Sequence, residues 1–213
     1  MPGRTVFLPS IVHVLLVLNA IAFFLLIATG GRLIESFALW PLGLTGEELF
    51  NGIAPRFEIW QLVSYSFLHG GVFHLLLNMY ALWLFGTPIE RAWGSRAFGI
   101  YYFICVVGAG LVQLFVASQA VSAGTVYPTV GASGGVFGLL LAFGLTYPNE
   151  RLMLIFPPVI LKAKWFVLIY AAVELYAGVT GTLAGIAHFA HLGGMLFGFL
   201  LLWYWGAHPL KRR

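Results

Sequence analysis

Six apolar stretches recur along this chain, and its charges fall almost wholly between them. They run roughly Val6–Ala28, Gly71–Phe85, Phe98–Ala117, Gly131–Tyr147, Trp165–Val179 and Ala184–Trp205. Each is near the ~20 residues that a helix needs to cross a bilayer. Backbone in hydrocarbon must satisfy its own hydrogen bonds, so a chain patterned this way folds as spanning helices. Composition agrees: 61% of residues are hydrophobic and 8% charged, against about 25% charged in soluble domains.

No Pro/Ser-rich linker, charge block, low-complexity tract or repeat divides the chain, so one membrane-embedded domain over 1–213 is expected. Cys105 is the sole cysteine and lies in an apolar run, which excludes an intrachain disulfide and argues against thiol chemistry. The first stretch is too long for a signal-peptide core and lacks a small-x-small cleavage site, so it is expected to remain as a helix. The connection from Gly30 to Gly70 carries Phe37–Leu44, apolar but too short to cross. That piece is expected to lie in the interface or dip partway in.

Orientation follows from the basic residues. With the N-terminus inside, the inner side holds Arg4, Arg91, Arg96, Arg151, Lys162, Lys164, Lys211, Arg212 and Arg213. The outer side holds only Arg32 and Arg56, beside Glu35, Glu47, Glu48 and Glu58. Nine against two sets the direction and, with six spans, puts both termini on the cytoplasmic side. The basic pI reflects this asymmetry. No basic–aromatic groove or binding motif is present, so nucleic acid is not an expected partner.

Spans two, four and six then all run from outside to inside. Their first turns contain His74 and Asn78, Ser133, and His188 and His191, which brings scattered polar residues to one depth. As the eighth residue of its stretch, His191 is expected roughly 10 Å below the outer end. The fourth stretch, with 17 residues, is too short to cross comfortably, so Ser133 is expected to start below the outer surface. The preceding 118–130 must then dip to meet it. Non-helical backbone at that depth needs protein cover or water, so a submerged, wet, outward-opening pocket is expected.

Ser133 stands in Gly131-Ala132-Ser133-Gly134-Gly135 at a helix start, where a hydroxyl and free backbone N–H donors come together. Small residues also let membrane helices pack tightly, and Gly134/Gly138 and Gly194/Gly198 are small-xxx-small pairs. The two readings are compatible, because close packing would bring Ser133 to a histidine on the last span. His191 shares a face with Gly194 and Gly198, and an imidazole suits proton shuttling near neutral pH. His188 is a rival on nearly the same face, and the residues alone leave the choice open. The chain contains no aspartate, so a Ser-His-Asp triad is excluded. A Ser–His dyad remains, its imidazole held by packing or a hydroxyl. His74 and Asn78, four apart on one helix face, can both donate toward a developing oxyanion; interhelical hydrogen bonding is their competing role.

The run Trp60, His69, Gly70, His74, Asn78, Gly86, Glu90, Gly94, Ser95, then Gly131-Ala132-Ser133-Gly134, then His191-Leu192-Gly193-Gly194 resembles the rhomboid intramembrane serine proteases. The likeness covers about Trp60 to Gly198. G-x-S-G alone is weak; ordered after H-x4-H-x3-N and before H-x-x-G it is specific. The resemblance implies an all-α polytopic membrane protein, a six-transmembrane-helix rhomboid-like bundle with a partly embedded first outer loop. It implies Ser133 as nucleophile and His191 as base, with His188 set aside because the second glycine of H-x-x-G falls at Gly194. It implies His74, Asn78 and the backbone of Gly131 to Ser133 as the oxyanion and substrate-binding site, and His69 near an outer water-filled entrance. Glu90 and Ser95 would brace the inner end of span two and the following loop. Transmembrane protein substrates and membrane lipids are the implied partners, with no cofactor and no metal.

Two positions depart from the family pattern. Gln61 stands where many members carry Arg, which alters polar bracing of the outer loop. Phe137, one turn after Ser133, stands where an aromatic, often Tyr, packs on the imidazole; stacking survives, a phenol hydrogen bond does not. Glu174 is the only acid well inside a span. It matches no family motif and is expected to be a protonated or bundle-paired group.

Other functions fit less well. There is no H-E-x-x-H for a zinc enzyme, and no aspartate for a di-aspartyl site. A non-catalytic relative binding transmembrane clients has no reason to keep both Ser133 and His191. A transporter would show an inverted repeat and midplane polar groups, and haem would need a better ligand than Asn78 at the available spacing. Small size suggests a prokaryotic plasma membrane. Oligomeric state is not readable.

Overall fold

The computed structural model describes residues 10–44, 54–153, 158–182 and 185–206. Arg4, Val6, Glu47, Glu48, Ala184 and Lys211 to Arg213, used above for spans and orientation, lie outside the described residues. The elements in chain order are α1 (Ile11–Ala28), α2 (Leu33–Phe37), α3 (Gln61–Ser64) with a 3-10 turn (Tyr65–Phe67), α4 (Val72–Trp93), α5 (Ser95–Val121), α6 (Ser133–Thr146), β1 (Arg151–Met153), β2 (Ile160–Lys162), α7 (Ala163–Thr180) and α8 (His188–Tyr204). Four of these, α1, α4, α5 and α7, are long and apolar enough to cross a membrane; α6 and α8 are apolar but shorter. The protein is a helical polytopic membrane protein. Its sheet content among the described residues is the antiparallel hairpin β1–β2, with Leu152 opposite Leu161, and one isolated bridge between Leu39 and Thr129.

Which helix is central follows from enclosure. Over its most apolar stretch α5 is 56% buried, against 28% for α1 and 22% for α7. Its inward face, Phe98, Tyr101, Tyr102 and Cys105, packs with Leu139 and Ala142 of α6 in the core. Two phenols find backbone acceptors there: Tyr101 donates to the Gly138 carbonyl and Tyr65 to the Val106 carbonyl, each at 2.8 Å. Buried hydroxyls need such partners, since an unpaired one costs about 1–3 kcal/mol. Outward faces carry large apolar side chains such as Leu77, Trp83, Phe115, Leu168 and Trp203, which is the surface a bilayer requires.

Helix ends differ from the apolar stretches for identifiable reasons. The second stretch was expected to stop at Phe85, but α4 continues through Pro88 to Trp93. Its extension is held by Ile89, fully buried, and by Glu90, which accepts the N–H groups of Ile11 and Val12 at 2.6 and 3.0 Å. Those donors open α1 and have no partner within that helix. Ser95 donates to the same carboxylate at 2.6 Å, so Glu90 joins α1, α4 and α5. Gly94, at φ 81°, makes the turn that separates α4 from α5. Helix α5 in turn runs on to Val121, so the first part of 118–130 is helical rather than a dipping loop.

The long first connection is anchored to protein. Ala38, Leu39 and Trp40 are buried, while Phe37 and Leu42 remain exposed. Leu39 and Thr129 exchange both backbone hydrogen bonds, at 3.0 and 2.9 Å. Gln61 is buried. Its carbonyl accepts from Trp40 N–H at 3.2 Å, and its amide donates to the carbonyls of Arg56 and Ser36 at 3.3 and 3.5 Å. A neutral amide, with both acceptor and donor, thus braces this loop where a guanidinium could only donate.

Candidate active site

Ser133 is placed by the chain that leads into it. After the Leu39–Thr129 bridge, Gly131 N–H donates to the Tyr65 carbonyl at 3.0 Å. Gly131 then adopts φ 128°, a region that L side chains rarely enter. Any Cβ on Gly131 would sit 2.8 Å from Nε2 and Cε1 of His74 and 3.7 Å from Ser133 Oγ. The glycine therefore leaves a small recess between the hydroxyl and the His74 ring. Helix α6 starts at once with Ser133, and Ala132 before it offers no side-chain cap. The first N–H groups of α6 consequently keep their donors free.

His191 reaches Ser133 because α6 and α8 touch backbone to backbone. A Cβ on Gly194 would collide with the carbonyl oxygen of Gly134, and one on Gly138 would meet Cys105. With those side chains missing, His191 Nε2 lies 2.8 Å from Ser133 Oγ. Phe137 lies face to face on the imidazole, ring centroids 4.1 Å apart and planes at 6°. Ser133 keeps partial exposure while His191 is 7% exposed, so the pair is reached from the hydroxyl side. His191 is the fourth residue of α8, not the eighth of a longer span. It stands within one turn of the helix start, because Gly185, Ile186 and Ala187 stay outside the helix.

The residues expected to assist lie nearby, with qualifications of geometry. Gly70 N–H donates to Nδ1 of His74 at 3.4 Å, which leaves the His74 proton on Nε2, beside the recess at Gly131. Asn78 is buried and donates to the His74 carbonyl at 2.9 Å, which occupies one of its two amide hydrogens. His69 is 1% exposed rather than at an open entrance, and its ring meets that of His74 edge-on at 5.1 Å. Burial holds His69 down to about 4, with His74 adding to the effect. The cavity lined by Ile169, Ala172, Val173, Tyr176 and Ala177 of α7 and by Thr182 just after it includes neither Ser133 nor His191.

Glu174 matters more to the site than its lack of a motif suggests. Glu174 is paired, as expected of a buried acid, but its partners are the two histidines that compete for the base. Its Oε2 lies 2.6 Å from His188 Nδ1 and 3.0 Å from His191 Nδ1. The first contact is a hydrogen bond. The second is off hydrogen-bond alignment and acts as a charge–dipole contact. The imidazole is therefore held by a carboxylate as well as by packing. The signal was available: α7 runs opposite to α8, and Glu174 is the twelfth of its 18 residues, at the depth where α8 begins. Donor atoms of Glu174, His188 and His191 lie within 4.8 Å of one another. The 2.6 Å approach within the trio is that of a short hydrogen bond to a carboxylate.

Residues 56–208 match the family model described as Rhomboid domain. RHOMBOID-like protein 4 of Arabidopsis thaliana is 39% identical over 145 residues, 68% of this chain and 33% of its own length. Rhomboid protein 1, mitochondrial, of Saccharomyces cerevisiae is 32% identical over 153 residues, 72% of this chain and 44% of its own. Rhomboid protease GluP of Bacillus subtilis is 29% identical over 191 residues, 90% of this chain and 34% of its own. The chain thus spans about a third to a half of the length of these relatives. Because they come from bacteria, a plant and a mitochondrion, family likeness does not single out a prokaryotic plasma membrane.

Proposed function

From the premise that this chain belongs to the rhomboid family, we propose that it is an intramembrane serine endopeptidase cutting transmembrane segments of membrane-protein substrates near the extracytoplasmic face. The observation that carries the reading is the 2.8 Å approach of Ser133 Oγ to His191 Nε2. Hydroxyl and imidazole at that separation can pass a proton directly. As Ser133 Oγ attacks the scissile carbonyl, its proton moves to His191 Nε2. The tetrahedral oxyanion is met by His74 Nε2–H, the free N–H groups at the start of α6 and the second amide hydrogen of Asn78. His191 then returns the proton to the leaving amine, and water hydrolyses the acyl-enzyme by the same route.

A helical substrate hides its amides in hydrogen bonds, so the segment must unwind locally, and helix-destabilising or small residues near the cut are favoured. Clients enter laterally, on the side of α4 and α7, with both termini of the protease cytoplasmic.

Purified parent, Ser133→Ala and His191→Ala proteins, incubated with a model single-pass client, test the reading. Both variants should bind the client and leave it uncut, and a fluorophosphonate should label Ser133 alone in the parent. Cleavage persisting in Ser133→Ala would remove the nucleophile assignment.

A further inference from the structure

We infer that Glu174 is a positioning residue for His191: its carboxylate fixes which ring nitrogen carries the resting proton and steadies the imidazolium that forms during the reaction. The inference rests on Ser133 and His191 acting as proposed above.

The geometry runs in order across three helices. Ser133 of α6 lies on the Nε2 side of the His191 ring and Glu174 of α7 on the Nδ1 side. Because Nε2 must accept from the serine hydroxyl, the single proton of the neutral ring sits on Nδ1, the atom 3.0 Å from Glu174 Oε2. A Nδ1–H facing a carboxylate holds that tautomer; with a neutral group there, the ring is free to place its proton on Nε2, where it cannot act as a base. When Nε2 takes the serine proton, the new positive charge forms beside an acid that is itself 7% exposed. In such surroundings charge–charge attraction is stronger than in water.

His188 supplies the support. Its Nδ1 bonds the same oxygen at 2.6 Å, which keeps the carboxylate from swinging away from His191. The approach of α7 is itself built in: a Cβ on Gly178, one turn beyond Glu174, would press on Phe189 and on Cβ of His188. The groups that face His191 are Ser133 from α6, Glu174 from α7, His188 from its own helix and, across the recess at Gly131, His74 from α4. Tyr101 and Cys105 of α5 meet α8 at Gly198, two turns further on.

Glu174→Gln, Glu174→Asp and His188→Asn in the full chain, reconstituted with a model client, test this against pH. Glu174→Gln is expected to keep KM, to lower kcat by about ten- to a hundredfold, short of the ~10²–10⁴ that a general base contributes, and to move the acid limb of the rate profile to lower pH. Glu174→Asp keeps the charge but withdraws it, so its kcat should fall between parent and Glu174→Gln, with the same direction of shift. His188→Asn removes the bond that steadies the carboxylate, so its kcat should fall below the parent's, with the acid limb moving in the direction of Glu174→Gln but by less. An unchanged acid limb and kcat in Glu174→Gln, while Ser133→Ala is dead, would overturn the inference and leave the protease reading intact. A lower unfolding temperature with an unaltered pH profile would also overturn it, reducing Glu174 to a structural pair. Should Glu174→Gln not fold, Glu174→Asp with the parent's kcat and profile would have the same force. Cleavage by Ser133→Ala would instead remove the underlying reading.

Discussion

Phe137 lies parallel to His191, with 4.1 Å between ring centroids and 6° between planes. The phenyl ring limits the imidazole to rotation in one plane, the plane that contains Ser133 on one edge and Glu174 on the other. Phe137→Tyr should preserve stacking and activity. Phe137→Ala should lose the stack, worth about 0.5–1.5 kcal/mol, and with it up to about tenfold in kcat. Steady-state cleavage of a model client measures the difference.

Gly194 faces the carbonyl of Gly134 with no room for a methyl group. Gly194→Ala should push α8 from α6, costing about 1–3 kcal/mol of stability. The protein that still folds should label more slowly with a fluorophosphonate, by about a hundredfold for a displacement near 1 Å. Thermal unfolding in detergent and the labelling rate give the two values separately. Labelling at the parental rate would mean that the helices re-seat without loss of reach.

Glu90 accepts from Ile11, Val12 and Ser95, all at 3.0 Å or less. Glu90→Ala should leave these donors unpaired at the end of the bundle remote from Ser133. The expected loss is about 1–3 kcal/mol in unfolding free energy, with the rate per folded molecule unchanged. Melting curves and active-site titration on the same sample check both halves.

His69 is buried in its neutral form, and its pKa falls from 6.5 to about 4. In the unfolded chain the ring takes a proton near 6.5, whereas in the folded protein it does not until about 4. The stability that depends on a neutral ring is therefore complete above the first value and is lost as pH falls through the window between them. A gap of this size is worth on the order of 3 kcal/mol. Unfolding midpoints measured from pH 7.5 to 4.5 should drop for the parent and drop less for His69→Phe. Parallel curves would show that another group carries the acid sensitivity.

Much of the site is legible in the sequence because its parts repeat a helical spacing. His74 and Asn78 share a face by their four-residue separation, and Ser133 announces itself by the glycines around it. The shared direction of alternate spans brings Ser133 and His191 to one level, and the two side chains meet at 2.8 Å. Tertiary contacts are less legible. Helix α4 passes through Pro88 because Glu90 is drawn to the start of α1, some 78 residues earlier. His69 looks like a polar group at a wet entrance, yet packing against His74 buries it. Glu174 has a partner only once α7 is laid against α8, and its importance comes from that contact rather than from any motif. In sequence Gln61 reads as a change in the polar bracing of the outer loop, and in the folded loop it makes three hydrogen bonds with backbone.

The proposed nucleophile and base stand on the two shortest of the apolar helices among the described residues. With 14 residues, α6 measures about 21 Å, against a hydrocarbon slab of ~30 Å. Such a segment cannot enter lipid by itself during synthesis without leaving peptide groups stranded. It must slot into a socket already formed by α4 and α5, and α8 must then follow to close it. Assembly order and the proposed activity are thereby linked: a nascent chain holds no hydroxyl–imidazole pair until α8 has emerged from the ribosome and docked.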